Sequence, residues 1–483
     1  MWKLKQENSD MKQLKQTLFA LLVAFAAVAC APREENLIII STSDTHAKIE
    51  MLPRLAAFVE EARSQDTARV FLVDAGDRWT GNPYVDKAAH AGRPIIEQMN
   101  KMGYDVATIG NHEFDMGLDT LQKRLSEAEF DIVLANIDTK ESPLQQPKPY
   151  VIKRAGGVKV GFLGIVTNNA NGHPDGKDVI FEGTEFFSPE WVAQKYGSKV
   201  RRGSDLMVVI SHCGLDRDTV DLVKALPYAD LIISGHTHEE YSGEVEGVDI
   251  VQGNSKLRAV GVTTVKLVGG KVVDLKTKYM PLPEVESEAT KASVEEYFKD
   301  PYFNESVGTL TAEATKMGLA HFMADEGRRV AGADMGFYHI GGTRIASLAE
   351  GDVARAKIFE LEPFNSDLVI TTMSLGEIEE MIFNKFNDKV NYKESHRVDL
   401  IPSGLRYTII TNKEGDAVAV KLYPEVKKEL YKVAVSNYVY ENKTYNYTRR
   451  AEEGRTPLVT TYLIDRLAEG PYTPDNKPRG EMK

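Results

Sequence analysis

Cysteine is almost absent from this chain: there are 2 in 483 residues, Cys30 and Cys213. So few thiols exclude a disulfide framework in the mature chain and a thiolate cluster for a soft metal. Basic charge is also in deficit, with 59 Lys and Arg against 71 Asp and Glu and a net charge of −12. Nothing resembles a basic stripe, which argues against a nucleic-acid backbone as partner. Beyond the amino terminus no apolar run approaches the ~20 residues of a spanning helix. No internal repeat or low-complexity tract interrupts the chain. What is present is an ordinary globular composition, 42% hydrophobic and 27% charged. The length predicts two or three domains with ample core.

The amino terminus reads as a targeting segment. Lys12 and Lys15 precede an apolar run from Leu18 to Ala29 that stops at Cys30. That is the tripartite form of a secretory signal, too short to span a bilayer. Small residues just before a cysteine are similar to a bacterial lipoprotein box, although Ala27 stands where Leu is commonest. This predicts a lipoprotein signal peptide over residues 1–30 and lipidation at Cys30. The protein would then be exported and anchored by lipid to a bacterial membrane, facing the periplasm or the cell surface. The simpler alternative is a cleaved signal with Cys30 unmodified.

Five short segments carry the chemistry, and each sits where a hydrophobic run ends. They are Asp44-Thr45-His46, Asp74-Ala75-Gly76-Asp77, Gly110-Asn111-His112-Glu113-Phe114-Asp115, Ser211-His212 and Gly235-His236-Thr237-His238. The preceding runs, such as Leu37–Thr42 and Leu206–Ile210, suit strands buried on both faces. Polar groups at the carboxyl ends of such strands converge on one rim, where open α/β sheets bind ligands. A lone Asp-x-His or His-x-His is usually surface decoration. Five such segments, all at strand ends, are not.

Carboxylate, imidazole and amide oxygen together suit borderline divalent cations such as zinc, manganese or iron. Asp44, His46, Asp77, Asn111, His212, His236 and His238 are too many for one four-coordinate ion, which points to two. If Asp77 bridges, the set divides into Asp44, His46, Asp77 and His238 against Asp77, Asn111, His212 and His236. Such a pair clamps the two oxygens of an in-line displacement, leaves net positive charge for a phosphate dianion, and activates a bridging water. His112 is not needed as a ligand. Protonated, it can stabilise phosphoryl oxygens or protonate the leaving alkoxide, with Asp115 orienting it and raising its pKa. Cys213 follows His212 but reads as a buried small hydrophobe rather than a nucleophile.

The ordered set DTH, DAGD, GNHEFD, SH and GHTH resembles the 5′-nucleotidase branch of the calcineurin-like dinuclear metallophosphatases, over roughly Leu37 to Met280. The resemblance implies a four-layer αββα sandwich, the ligand division given above, and His112 with Asp115 as catalytic dyad. His238 stands where the family often has Gln, which keeps a ligand. Pro281, Pro283 and a charged helical stretch then read as a linker over 281–300. The second part, 301–468, is similar to the family's α/β substrate-binding domain. Its helix is predicted over Lys316–Val330, and 470–483, rich in Pro, Gly and charge, is predicted to be a loosely held, flexible tail.

Within that second part, GADMGFYHIGGTR is similar to the family's signature and implies Arg344 as a phosphate or substrate contact. Glu362-Pro363-Phe364-Asn365 and Ser436-Asn437-Tyr438 fall where the family places rings that hold a flat base from either side, so Phe364, Asn365 and Tyr438 are the implied substrate contacts. Three departures stand out. The family's Gly-Gly-Asp-Gly-aromatic, whose Asp binds the ribose, is replaced by Asn442-Lys443-Thr444-Tyr445-Asn446. The arginines common before the helix are missing from Ser306–Thr315. His339 stands where Asn is common. The resemblance implies an exported, metal-dependent phosphomonoesterase that hydrolyses nucleoside 5′-monophosphates by attack of a metal-bridging hydroxide. The alternatives are the same chemistry on a sugar phosphate, cyclic nucleotide or nucleotide sugar, or a lipoprotein that captures nucleotides or metals without turnover.

Overall fold

Four of the apolar runs that end in a motif are strands, and the third contributes the short strand Val106–Ala107; the strand ends are in line. The structure, a computed structural model, describes residues 34–388 and 396–483 apart from residues 66 and 170. The expected signal segment and Cys30 lie outside the described residues. One six-stranded sheet runs in the order Lys271–Pro281, Ala259–Val268, Glu34–Thr42, Arg69–Asp74, Val106–Ala107 and Asp131–Ile132. A second six-stranded sheet runs Glu240–Val245, Val248–Gly253, Leu231–Ile233, Leu206–His212, Val158–Val166 and Tyr150–Ala155.

Alternation along each strand explains why these runs are apolar at every position. Leu37, Ile39, Val208, Ile210, Leu231 and Ile233 point into the core between the two sheets. Their neighbours point the other way. Ile40 packs under the helices Leu52–Ser64, Arg93–Met102 and Leu118–Glu127. Met207, Val209 and Ile232 pack with Val192, Val200 and Leu222 on the outer face of the second sheet. Each fully buried side chain of this kind stabilises the fold by about 1.5–3 kcal/mol. The result is helices, sheet, sheet, helices, the four layers expected. Glu34–Thr42, Arg69–Asp74 and Val106–Ala107 are mutually parallel, with Thr42 opposite Asp74 and Asp74 opposite Ala107. Leu206–His212 and Leu231–Ile233 are likewise parallel. Their following loops therefore leave on one rim.

The second unit is built on a five-stranded sheet in the order Leu400–Ser403, Met335–His339, Tyr431–Ser436, Leu368–Met373 and Gly454–Arg455. Its helix Lys316–Ala331 begins where Thr315 Oγ1 accepts from the Gly318 N–H and ends at the left-handed Gly332, φ 53°. Those caps are the signals the sequence offers. Between the units, the helix Glu288–Glu295 docks on the first one. Ser287 N–H donates to Pro53 O at 2.9 Å, and Val294 joins the core under Leu52–Ser64.

The carboxyl-terminal segment is not loosely held. Gly480–Met482 adds a parallel strand to Leu405–Thr411, the Tyr472 ring stacks 4.0 Å from that of Phe322, and Arg479 bridges Asp325 and Asp475. Composition misleads here because strand pairing and guanidinium bridges are long-range contacts that local polarity does not record.

Candidate metal centre and substrate cleft

The seven expected ligands converge on the rim, and their backbones show what convergence costs. Asp44, His46, Asp77, His236 and His238 all have positive φ, between 46° and 81°. Non-glycine residues held there cost on the order of 1–3 kcal/mol each and persist only where the surroundings over-determine them. Here the loops hold one another. Asp44 N–H donates to Gly76 O and His46 N–H to Asp77 O, both at 2.9 Å. Gly76 has φ 93°, and a Cβ on it would lie 2.6 Å from Gly110 N, so the second and third loops meet through glycine backbone.

Two histidines are set up as ligands by their hydrogen bonds. His46 Nδ1 lies 3.0 Å from Thr80 O, and His212 Nδ1 lies 2.6 Å from Ala75 O. A carbonyl that takes the Nδ1–H leaves the Nε2 lone pair to face inward, the usual outer-shell arrangement of a metal-binding imidazole. His46 Nε2 then sits 3.0 Å from His238 Nε2. His212 Nε2 is fully buried without a hydrogen-bond partner, and Asp77 Oδ2 lies 3.0 Å from it. Asp77 Oδ2 is also 4.0 Å from His46 Nε2, so one carboxylate oxygen faces both groups. Asp44 Oδ1 is 3.4 Å from His238 Nε2, and Asn111 Oδ1 is 3.0 Å from His236 Nδ1. Asp44, His46 and His238 form one group of converging donor atoms, and Asp77, His212 and His236 another.

Charge gives the same answer. Burial would push the His212 imidazole down, but the Asp77 and Asp44 carboxylates outweigh it and raise it to about 10. Burial and the neighbouring His238, Arg344 and His112 hold His46 well below the ordinary value. One corner thus attracts a positive charge while the other keeps its imidazole neutral. An orphaned buried nitrogen, apposed imidazole nitrogens and a shared carboxylate fit divalent metal ions.

His112 stands beside this set. Its Nδ1 is 2.7 Å from Asp115 Oδ2 and its Nε2 3.9 Å from Asp77 Oδ2. Burial lowers its pKa, yet Asp115 and Asp77 together raise it above the usual value. His46, Asp77 and His112 also form a third group of converging donors.

A cleft of about 700 Å³ opens over these residues, walled by both units. Arg344, Phe364, Asn365 and Tyr438 line it, as do Asp77, Asn111, His112 and Asp115. The two expected stacking rings each lie against an imidazole. Phe364 is 5.6 Å from the His112 ring at 24°, with the Arg344 guanidinium 5.4 Å from its centroid. Tyr438 is 4.5 Å from the His339 ring at 22°. Burial drops His339 to about 4, so that ring is neutral. Asn365, in the left-handed region at φ 52°, accepts from two lysines of the first unit, Lys87 on its Oδ1 at 2.5 Å and Lys177 on its carbonyl at 3.0 Å. Cys213 is buried and its thiol is pushed up to about 12 by that burial, which suits packing and not attack.

Two features escape a reading of the sequence. Glu113, inside GNHEFD, is fully buried and accepts from the backbone N–H groups of Asp77, Arg78 and Gly110, at 2.8, 2.8 and 2.6 Å. It ties the second ligand loop to the third. The only hint is a glutamate set among ligands. The loop carrying Asn169, Asn171, Asp175 and Lys177 also lines the cleft, and its Asn/Gly/Pro-rich run reads only as a turn.

Comparison with known proteins agrees with this architecture. The calcineurin-like phosphoesterase family matches residues 37–240, and the family described as 5′-nucleotidase, C-terminal domain, matches residues 296–449. The trifunctional nucleotide phosphoesterase protein YfkN of Bacillus subtilis is 26% identical over 478 residues, covering 84% of this chain and 32% of that protein. A 2′,3′-cyclic-nucleotide 2′-phosphodiesterase/3′-nucleotidase of Yersinia enterocolitica is 32% identical over 289 residues, 50% of this chain and 43% of that one. The chain thus spans less than half the length of these curated relatives. A 5′-nucleotidase precursor from Thermus thermophilus has the same fold, with TM-score 0.79 and 22% identity, covering 92% of this chain and 99% of that one.

Proposed function

Since the chain belongs to the calcineurin-like phosphoesterases that carry a 5′-nucleotidase C-terminal domain, we propose that it hydrolyses phosphate monoesters using two divalent metal ions. A nucleoside 5′-monophosphate is the preferred substrate. Asp44, His46, Asp77 and His238 would hold one ion, and Asp77, Asn111, His212 and His236 would hold the other. When bound, such ions neutralise charge on phosphoryl oxygens and make water nucleophilic near neutral pH.

The chain's own groups do the rest. Arg344, beside Phe364, reaches the phosphoryl oxygens from the second unit. His112 carries a proton on the cleft side of the ligand set and gives it to the departing alkoxide. Asp115 orients the imidazole through Nδ1 and keeps it protonated. Phe364 and Tyr438 contact the base, and their attraction fixes the phosphate relative to His112. The observation that carries this reading is the 2.7 Å contact of His112 with Asp115 at the edge of the ligand set. A protein that only captured nucleotides would have no need of an oriented proton donor.

The test is turnover of a panel of esters with added Mn²⁺ or Zn²⁺: nucleoside 5′-monophosphates, 2′,3′-cyclic nucleotides, nucleotide sugars, sugar phosphates and an aryl phosphate. Fastest release of phosphate from the 5′-monophosphates is expected. Preference for another ester would reassign the substrate, and binding without turnover would reassign the class. The segment ending at Cys30 supports export and lipid anchoring of this activity at a bacterial membrane.

A further inference from the structure

The wall that the second unit contributes to the cleft contains a buried carboxylate with no assigned task. Asp399 is 5% exposed and lines the cleft. It directly precedes the strand Leu400–Ser403, whose Leu400 pairs with His339, and its carbonyl accepts from the Ile340 N–H at 2.9 Å. That register places it beside the His339–Tyr438 stack. Tyr445, fully buried, donates its hydroxyl to Asp399 Oδ2 at 2.7 Å. The Tyr445 ring in turn stands edge-on to Tyr438, centroids 6.4 Å apart at 89°. The other oxygen, Oδ1, has the half-exposed Arg397 guanidinium 3.7 Å away, beyond hydrogen-bond distance. One oxygen is fixed and the other keeps acceptor capacity.

The neighbouring groups narrow the assignment. On this wall the other cleft-lining carboxylate among the described residues is Glu441, which is paired with Arg455 at 3.4 Å. The segment Asn442–Asn446 contains no carboxylate. A buried carboxylate oxygen beside an aromatic ring is a strong acceptor for alcohol O–H groups, because the charge roughly doubles the strength of each bond. We propose that Asp399, held by Tyr445, is the residue that reads the hydroxyls of the substrate's sugar. This rests on the nucleoside 5′-monophosphate reading, since it requires a polyol attached to a base that contacts Tyr438.

The experiment compares kcat/KM for a ribonucleoside 5′-monophosphate with that for its 2′,3′-dideoxy analogue, in the metal-loaded full chain. In the native protein the ribonucleotide is favoured roughly 10- to 100-fold, the range for hydrogen bonds to a charged group. In Asp399→Asn, which preserves size and an acceptor for Tyr445, that ratio should fall to within about threefold of unity, and Tyr445→Phe should lower it part of the way. A ratio unchanged in Asp399→Asn overturns the proposal, and so does an equal loss on both substrates. Thermal unfolding of the variants separates misfolding from lost recognition, because misfolding lowers both rates without changing their ratio. If the native protein turns over other esters but no nucleoside monophosphate, the functional reading fails before any variant is made, and this inference falls with it. A native enzyme that hydrolyses both nucleotides equally overturns the inference alone.

Discussion

The Phe364 ring of the second unit lies against the His112 imidazole of the first, centroids 5.6 Å apart and 24° from parallel. The ring proposed to contact the base thus lies against the group proposed to transfer the proton. Residues 252 apart in sequence meet on the wall of the cleft, where the proposed leaving group would sit. Binding energy from the base side of the substrate can therefore act on the reacting side through a single contact.

Removing that ring should reveal the link. Phe364→Ala and Tyr438→Ala are each expected to lower kcat/KM for a nucleotide by about 1–3 kcal/mol, the range for a stacked base. Hydrolysis of an aryl phosphate should suffer much less. Steady-state kinetics on both substrates decides it. Equal losses would mean that the rings serve folding, and no loss would mean that no base is bound.

Asp77 Oδ2 faces both groups of donor atoms, whereas Asn111 contacts only one. Asp77→Asn is accordingly expected to lose more metal and more activity than Asn111→Ala. Elemental analysis alongside rate measurements gives the comparison. About two ions per chain with a normal rate in the Asp77 variant would refute the shared-carboxylate assignment.

His112 converges with His46 and Asp77 as well as with Asp115, so geometry alone allows it to be a ligand. The expectation is that His112→Ala lowers kcat by about 10²–10⁴-fold, as a general acid would, with metal content intact. Loss of an ion from this variant would move His112 into the ligand set.

The dyad also predicts a pH effect of definite sign. Asp115 and Asp77 hold the His112 pKa above its ordinary value, against the pull of burial, so the protonated acid persists to higher pH. Asp115→Asn removes one of the two carboxylates. The alkaline limb of the kcat–pH profile should then move to lower pH. A limb that does not move would separate Asp115 from the acid's titration.

Anchoring is testable apart from chemistry. Two or more acyl chains at Cys30 would hold the protein stably on a membrane, whereas one would not. Cys30→Ser should release activity into the soluble fraction or block processing of the signal. A wholly soluble native protein with unchanged processing would favour a plain cleaved signal.

Much of the site is legible in the sequence because its signals are local. A strand buried on both faces must be apolar at every position, so Leu37–Ile40 and Leu206–Ile210 announce themselves, and the Asp, Asn and His residues just beyond them stand out against that run. The limits of Lys316–Ala331 are equally local, set by a side-chain cap at Thr315 and a left-handed Gly332. The remainder depends on which distant segments meet. Nothing in the chain near Glu113 shows that its carboxylate will gather two N–H groups from another loop as well as one from its own. Nor does the polar composition after Gly470 show that Gly480–Met482 completes a sheet with Leu405–Thr411. Asp399 acquires its meaning from Tyr445, 46 residues away, and from a strand register that sets it beside His339. Residue types and their spacing determined the chemistry this protein can perform. Which sugar, base or ester that chemistry meets was left to tertiary contacts, because a cleft wall is assembled from side chains whose neighbours are chosen by folding and not by sequence order.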